Sequence, residues 1–322
     1  MNRYVRQMQL PEVGQAGQAR LANARVAVVG AGGLGCPVLQ YLAGAGVGQI
    51  MIFDPDTIEE SNLHRQPIYG MADLGRPKAE AARDVLCALN PQVKAEAHVT
   101  AIGPGMAPKV AAMADLVIDA ADSFAVSYIL SDVCLAAGTP LVSASVLGQT
   151  GYVGGFCGVA PSLRAVFPEL PTTGATCATA GVLGPVVGVI GTLQAQIALR
   201  VLLAAEPSAL GNMVTADLAA LRFGGFTFLG SPEPENAIPF IATHMVRDSD
   251  LIVELRDQFE APDKITDRAI RLSESDLLSR APVPGQRMVL CCQTGLRAWR
   301  AAHALQARGP AKLALLAAKA CT

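Results

Sequence analysis

The apolar run Arg25-Val-Ala-Val-Val enters the turn Gly30-Ala-Gly32-Gly33-Leu-Gly35, and a second run, Gln49-Ile-Met-Ile-Phe, ends on the acid Asp54. No other feature narrows the fold as far, because strand, glycine turn, helix, strand and acid in that order open a doubly wound α/β sheet. Gly30 permits a tight turn, and Gly32, beside Gly33, lets backbone approach a phosphate. Gly35 lets a helix over 34–45 pack on the strand with its N-terminal N–H groups facing an anion. Asp54 follows at about 20 residues, the position from which a carboxylate grips ribose hydroxyls. The glycines alone are compatible with an ordinary turn. Their context makes them a nucleotide pocket, without saying which nucleotide.

Strands read at 25–30, 49–54, 94–100, 115–119 and 140–145 alternate with helices near 34–45, 78–89 and 124–137, so the sheet is mostly parallel. A long helix over 181–205 and strand-like runs at 212–217 and 221–229 add an antiparallel extension, and one nucleotide-binding domain spans 1–229. The Pro-, Glu- and Ser-rich stretch from Gly230 reads as a linker over 230–246. A second small α/β domain occupies 247–322, with strands at 251–255 and 288–292, helices at 273–280 and 297–307, and a core expected to be shallow for its size.

At 322 residues, 51% hydrophobic and only 16% charged, the chain reads as a globule with well-buried sheets. A net charge of −2 and the absence of a basic cluster exclude a nucleic-acid footprint. The first residues carry charge with no apolar run behind them, so no secretory signal is read. The most apolar stretch, 181–193, is too short to span a bilayer and is broken by Gln194, Gln196 and Arg200. A buried or interface helix of a cytoplasmic protein with no membrane partner is the expectation. None of the eight cysteines forms a Cys-x-x-Cys pair, which argues against a zinc cage or a disulfide framework.

Between Asp54 and Asp122 lie polar residues for which hydride transfer has no use. The string Ser61-Asn62-Leu-His-Arg65-Gln66 supplies two amides and a guanidinium, Gly75-Arg-Pro-Lys78 an ammonium at a helix start, and Asp119-Ala-Ala-Asp122 two carboxylates after a strand. Arg65 or Lys78 alone would read as a solvated charge. Together at strand ends they suit a nucleoside triphosphate, with cations balancing phosphate and a carboxylate holding Mg2+.

Residues 1 to about 228 resemble the MoeB/ThiF family, relatives of ubiquitin-activating enzymes. The strings that carry the resemblance are Arg3-Tyr-Val-Arg6-Gln7, the glycine turn, Ser61 to Gln66, Gly75 to Lys78, Asp119 to Asp122 and Cys177-Ala-Thr-Ala-Gly-Val-Leu-Gly-Pro185. The resemblance implies adenylation, with ATP and Mg2+, of the C-terminal glycine of a small ubiquitin-like sulfur-carrier protein ending in Gly-Gly. It implies that Asp54 holds ribose, that Asn62, Arg65 and Lys78, with Gln66 beside them, hold phosphates, and that Asp122 holds Mg2+. Arg6 would reach across a homodimer interface. Cys177 matches a position where some members carry a cysteine linked to the carrier, and is otherwise a buried thiol.

Two positions depart from the family. Where members carry two Cys-x-x-Cys pairs on zinc, this chain reads Pro161-Ser-Leu-Arg-Ala165 and Gly230-Ser-Pro-Glu-Pro-Glu. No structural zinc is expected, the region must be held by packing, and the linker is freer to move. Ser123 stands where Asn is frequent, and its hydroxyl can still donate.

Near the C-terminus, Met288-Val-Leu-Cys291-Cys292-Gln-Thr-Gly295-Leu-Arg297 runs a strand into a short loop and a helix. A thiol at the mouth of such a loop, beside an arginine, is expected to have a depressed pKa and to act as a nucleophile. The string resembles a rhodanese loop in which Cys292 carries a persulfide and Arg297 closes the loop, and Leu251-Ile-Val-Glu-Leu-Arg256 resembles the strand before it. Counted from Cys292 the loop has the six residues associated with sulfur transfer, and counted from Cys291 the seven of cysteine phosphatases. An apolar strand ending at Cys291 favours Cys292. Both resemblances together imply adenylation followed by sulfur transfer to a thiocarboxylate, with a cysteine desulfurase or thiosulfate as donor. The rival readings are adenylation of a peptide or small carboxylate without sulfur transfer, an NAD-dependent oxidoreductase, and a non-catalytic scaffold.

Overall fold

A computed structural model of the chain describes residues 2–169, 181–280, 285–309 and 311–320. Five strands, β1 (Arg25–Val29), β2 (Gln49–Phe53), β3 (Lys94–His98), β4 (Leu116–Asp119) and β5 (Pro140–Leu147), pair in parallel in the order β3-β2-β1-β4-β5. Three antiparallel strands, β6 (Thr150–Cys157), β7 (Asn212–Asp217) and β8 (Arg222–Thr227), extend the sheet to eight. The doubly wound sheet with its antiparallel extension is therefore present.

Period-2 geometry sorts the apolar strands onto two faces. Val26, Val28, Ile50, Ile52, Leu116 and Ile118 face the helices α2 (Gly35–Ala45), α3 (Lys78–Leu89) and α7 (Gly184–Leu202). Ala27, Val29, Met51, Phe53 and Val117 face α4 (Ala107–Met113) and α5 (Phe124–Ala137). Two shorter helices, α1 (Gly14–Asn23) and α6 (Leu163–Val166), complete this part. The strand order reverses between β1 and β4, and the carboxyl ends of these strands open a crevice there.

By length and composition α7 could cross a bilayer, which corrects the expectation that the stretch is too short. In the fold it is a core helix. Its Gly191 lies so near α2 that an added Cβ would sit 2.7 Å from the Leu34 carbonyl oxygen, and Gln194 donates to the carbonyls of Asp119 and Val142.

A second sheet is wholly parallel, in the order β10-β9-β11-β12, with β9 (Leu251–Glu254), β10 (Ile270–Arg271), β11 (Arg287–Cys292) and β12 (Lys312–Ala317), and helices α8 (Glu274–Ser279) and α9 (Leu296–Gln306). Its core is not shallow. Leu290, Cys292, Trp299, Ala302 and Leu315 join the same buried cluster as α4 and α5, so the first sheet's outer layer supplies the apolar surface that the small unit lacks.

Six elements were not legible: α1, α4, α6, β6, β10 and β12. β6 is rich in glycine, because side chains at Gly151 and Gly155 would strike Ser145 and Ala209 carbonyl oxygens at 2.8 and 2.7 Å. β12 is Leu/Ala-rich, a helical composition overridden by pairing with β11. The short α4 shows only a turn or two of periodicity.

The stretch 230–246 is anchored, against the expectation of a freer linker. Ile238, Phe240, Ile241 and Ala242 are buried, and backbone bonds join Ile241 N–H to the Leu315 carbonyl and Leu315 N–H to the Pro239 carbonyl.

Two glycines of one helix test the packing. A Cβ on Gly35 would lie 2.1 Å from the Gly30 carbonyl oxygen, whereas one on Gly44 meets nothing within 4 Å. In urea unfolding, Gly35→Ala should destabilise by about 2 kcal/mol or more, and Gly44→Ala should stabilise by about 0.5–1 kcal/mol.

Candidate active site

The turn after β1 closes on its neighbours with no room for side chains. Gly30 has φ +100°, and a Cβ there would lie 2.5 Å from the Ala120 carbonyl oxygen. One on Gly33 would lie 2.6 Å from Val187 of α7. Gly32 differs: the nearest atom to an added Cβ is the Gln66 amide nitrogen at 3.7 Å, so this peptide faces the crevice.

The end of β2 holds that turn in place. One oxygen of the Asp54 carboxylate accepts the Ala31 N–H at 2.7 Å and the other the Asp56 N–H at 2.8 Å. Burial pushes the Asp54 carboxyl above the usual range, and the Ala31 and Asp56 N–H donors and the Lys78 charge oppose the rise. The Lys78 ammonium, at the first residue of α3, is itself buried and bonds to Asp56 at 3.0 Å, an acid whose side chain is two-thirds exposed. Tyr69, which the sequence did not single out, donates its hydroxyl to the Ala31 carbonyl at 2.8 Å and also lies 3.2 Å from the Lys78 carbonyl, tying turn to helix. A lone tyrosine carries no signal of that role.

Asn62, Arg65 and Gln66 follow on a short helical turn. Asn62 is buried, and its carbonyl oxygen accepts the Glu59 N–H. The Arg65 guanidinium donates to the Ser61 carbonyl at 2.9 Å and lies at the same distance from the His64 ring nitrogen, while its own carbonyl approaches Gly33. Gln66 is buried with its side-chain oxygen unpartnered, an acceptor waiting beside the glycine turn.

Two carboxylates stand at the end of β4 and just after it, and they differ in kind. Asp119 is fully buried and committed internally, accepting from the Ser143 hydroxyl at 2.7 Å and the Ala121 N–H at 3.2 Å. Asp122 is exposed, and its carboxylate has no hydrogen-bond partner among the described residues. Of these two, Asp122 is the one open to a ligand. A single carboxylate suits Mg2+, which keeps several waters and takes its remaining oxygens from phosphate. No group of three or more His, Cys, Asp or Glu that could hold a metal occurs among the described residues.

The remaining candidates lie apart from this crevice or beyond description. Arg6 is exposed and makes no side-chain hydrogen bond or ion pair among the described residues. Cys177 lies outside the described residues. Cys292 is the last residue of β11, so the strand runs through both cysteines rather than ending at Cys291. Nor does Cys292 stand open at a loop mouth: it is 1% exposed, its sulfur accepting the Ala298 N–H at 3.4 Å. Arg297 ties the loop down by donating to the Leu255 carbonyl at 3.0 Å and pairing with Glu260.

The two stretches at the expected zinc positions are joined directly. Glu233 accepts the Ser162 N–H at 2.7 Å and its hydroxyl at 2.5 Å, while the hydroxyl accepts the Ala165 N–H and caps α6. Two residues on, the buried Arg164 forms a bidentate pair with Asp132 and donates to the Ile238 carbonyl.

Burial raises the Asp119 carboxyl from 3.8 to about 6. The protonated form is therefore favoured by folding, so this group's contribution to stability is complete below pH ~4 and lost as pH rises through ~6, amounting to roughly 3 kcal/mol. Asp119→Asn should flatten that segment of the stability–pH curve measured by denaturant unfolding.

Residues 4–237 match the ThiF family. The chain is 42% identical over 240 residues to the "Sulfur carrier protein adenylyltransferase" of Thermus thermophilus, covering 72% of this chain and 89% of that protein. It is 43% identical over 215 residues to the "Adenylyltransferase and sulfurtransferase uba4" of Aspergillus niger, covering 63% of this chain but 45% of that protein. The crystal structure of E. coli MccB with ATP superimposes with a TM-score of 0.62 at 24% identity, over 72% of this chain and 73% of that one, a likeness of fold. The family match ends before β9, so the second sheet stands outside it. By sequence, and with the fold in agreement, the chain belongs to the ThiF family.

Proposed function

We propose that this chain adenylates the C-terminal glycine of a small ubiquitin-like sulfur-carrier protein, in the cytoplasm, and then converts the adenylate to a thiocarboxylate. The observation that carries the first step is the buried Lys78 ammonium beside Asp54 and the glycine turn, paired among the described residues only with the exposed Asp56. A lysine is held at such a place for an anion that displaces the aspartate. The name of the Thermus thermophilus relative supports the substrate class, and that of the Aspergillus niger relative the pairing of the two activities.

In this reading the Gly32 peptide and the N-terminus of α2 receive phosphate oxygens, and Asp54 accepts ribose hydroxyls on its free lone pairs. Arg65, Lys78 and Asn62 hold the triphosphate. The carrier's carboxylate oxygen attacks the α-phosphorus, pyrophosphate leaves, and these side chains oppose the charge that grows on phosphate oxygens. The unpartnered Gln66 oxygen takes an N–H donor from a substrate. Mg2+ on Asp122, when bound, neutralises phosphate charge. Arg6, free in the single chain, completes the crevice of a second copy in a homodimer.

The second half of the proposal assigns 247–322 as a rhodanese-like domain. A persulfide on Cys292, loaded by a cysteine desulfurase or thiosulfate, attacks the acyl carbon with its terminal sulfur, and AMP leaves. A second thiol, for which Cys177 is the candidate, then attacks the Cys292 sulfur, releasing the thiocarboxylate and leaving a disulfide for an external thiol to reduce. The loop tied down by Arg297 supports this reading, with the Ala298 N–H directed at the sulfur.

With a carrier ending in Gly-Gly, ATP and a sulfur donor, AMP should be released and the carrier should gain the mass of one oxygen-to-sulfur replacement; absence of AMP overturns the adenylation reading. Lys78→Ala and Asp122→Asn should each lower ATP–pyrophosphate exchange by about 10²–10³-fold. Cys292→Ser should leave exchange intact and abolish the thiocarboxylate.

The Ser162–Glu233 contact supports a metal-free junction. The unfolding midpoint of nucleotide-free protein should not change on adding a chelator, whereas Glu233→Ala, which strands the buried Ser162 donors, should destabilise by about 1–3 kcal/mol. A chelator-induced fall in the midpoint would show a structural metal.

A further inference from the structure

We propose that the nucleotide-crevice half of the chain positions the Cys292 thiol, with Arg164 as the positioning residue. The proposal rests on reading Cys292 as the reactive sulfur.

Arg164 is 3% exposed, and its guanidinium is held from four sides by three separate segments. Asp132 of α5 takes the bidentate pair at 2.6 and 2.9 Å, and Ile238 of the 230–246 stretch offers its carbonyl at 3.2 Å. The guanidinium carbon stands 4.8 Å from the ring centre of Tyr128, also on α5, and 5.1 Å from that of Trp299 on α9. Tyr128 and Trp299 meet directly, with ring centres 5.1 Å apart. A planar cation fixed by a fork to a carboxylate has little freedom left, so the aromatic face resting on it is fixed as well.

Trp299 belongs to the first turn of α9. Its N–H donates to the Gly295 carbonyl, and the residue before it, Ala298, donates the N–H that reaches Cys292 sulfur at 3.4 Å. Gly295 has φ +87°, and a Cβ there would lie 2.7 Å from the Phe240 ring, which in turn stacks on Trp299 at 6.3 Å. The sulfur loop is therefore seated on Trp299 and Phe240, and neither position is set by the second sheet alone. At its far end α5 starts at Phe124, two residues after Asp122. One helix thus joins the crevice's exposed carboxylate to the contact that seats the thiol.

The test is site-resolved alkylation of Cys292 by iodoacetamide, followed by mass spectrometry across a pH series, in the full-length protein and its variants. The charged groups around the loop, Arg297, Glu260, Arg256 and Glu254, stay unaltered. Arg164→Ala should raise the high-pH plateau rate about tenfold or more, by uncovering the sulfur, and should move the midpoint up by about one unit as the Ala298 donor drifts away. Arg164→Lys, a cation without the fork, should fall between the two, and ATP–pyrophosphate exchange should stay within about twofold in both. If Arg164→Ala does not fold, Trp299→Leu must show the same two changes. An unchanged Cys292 profile in a folded variant overturns the proposal. An ordinary thiol midpoint in the parent protein would count against sulfur transfer alone, since the comparison between variants still decides the positioning role.

Discussion

Backbone crowding at the head of β1 is the constraint on which the crevice depends. Gly30, Gly33 and Gly35 bring β1, α2, α7 and the segment after β4 within distances at which a single Cβ would collide with a carbonyl oxygen or a valine methyl. Where these backbones converge, Gly32 leaves room, the nearest atom to an added Cβ there being the Gln66 amide nitrogen at 3.7 Å. Asp54 then uses its carboxylate to hold Ala31, and Tyr69 fastens the same turn to α3. The buried Lys78 is positioned by that fastening. A polyanion site results from exclusion of side chains as much as from the presence of charge.

The electrostatics of the crevice follow from which acids are left free. Asp119 ends β4 within the sheet, with both oxygens engaged and its carboxyl raised by burial, whereas Asp122, three residues on, is open to solvent. One holds the backbone after β4 and the other is available to a ligand. The same division holds among the cations: Lys78 is buried against an exposed acid, while Arg6 is exposed and has no side-chain partner among the described residues.

The junction between the two sheets lies at the stretches that stand at the expected zinc positions. Direct bonds from Ser162 to Glu233 and from Arg164 to Asp132 and Ile238 close it, and the aromatic rings of Tyr128 and Trp299 pack around the guanidinium. Burying a cation there is tolerable because every side of it is occupied by a carboxylate, a carbonyl or a π face. The small second sheet gains from this docking a core that it is too short to build alone.

Much of this was written in the linear pattern. Strand runs such as Val26 to Val29 alternate between faces without further instruction, the glycine spacing demands a close turn, and the polar strings after Asp54 supply the residue types that the proposed triphosphate would need. Local signals of that kind depend only on backbone sterics and on the period of a strand or helix. What they could not carry was the glycine-rich β6, the helix-like β12, the anchoring of 230–246, and the roles of Tyr69, Arg164 and Trp299. Those depend on partners tens to more than a hundred residues away, and a guanidinium reads as solvent-facing until its carboxylate, carbonyl and rings are assembled around it. The sequence by itself determined the sheet, the nucleotide turn and the chemical types at the crevice; only the tertiary structure decided that Cys292 is enclosed and seated on another part of the chain, because burial and long-range packing have no linear signature.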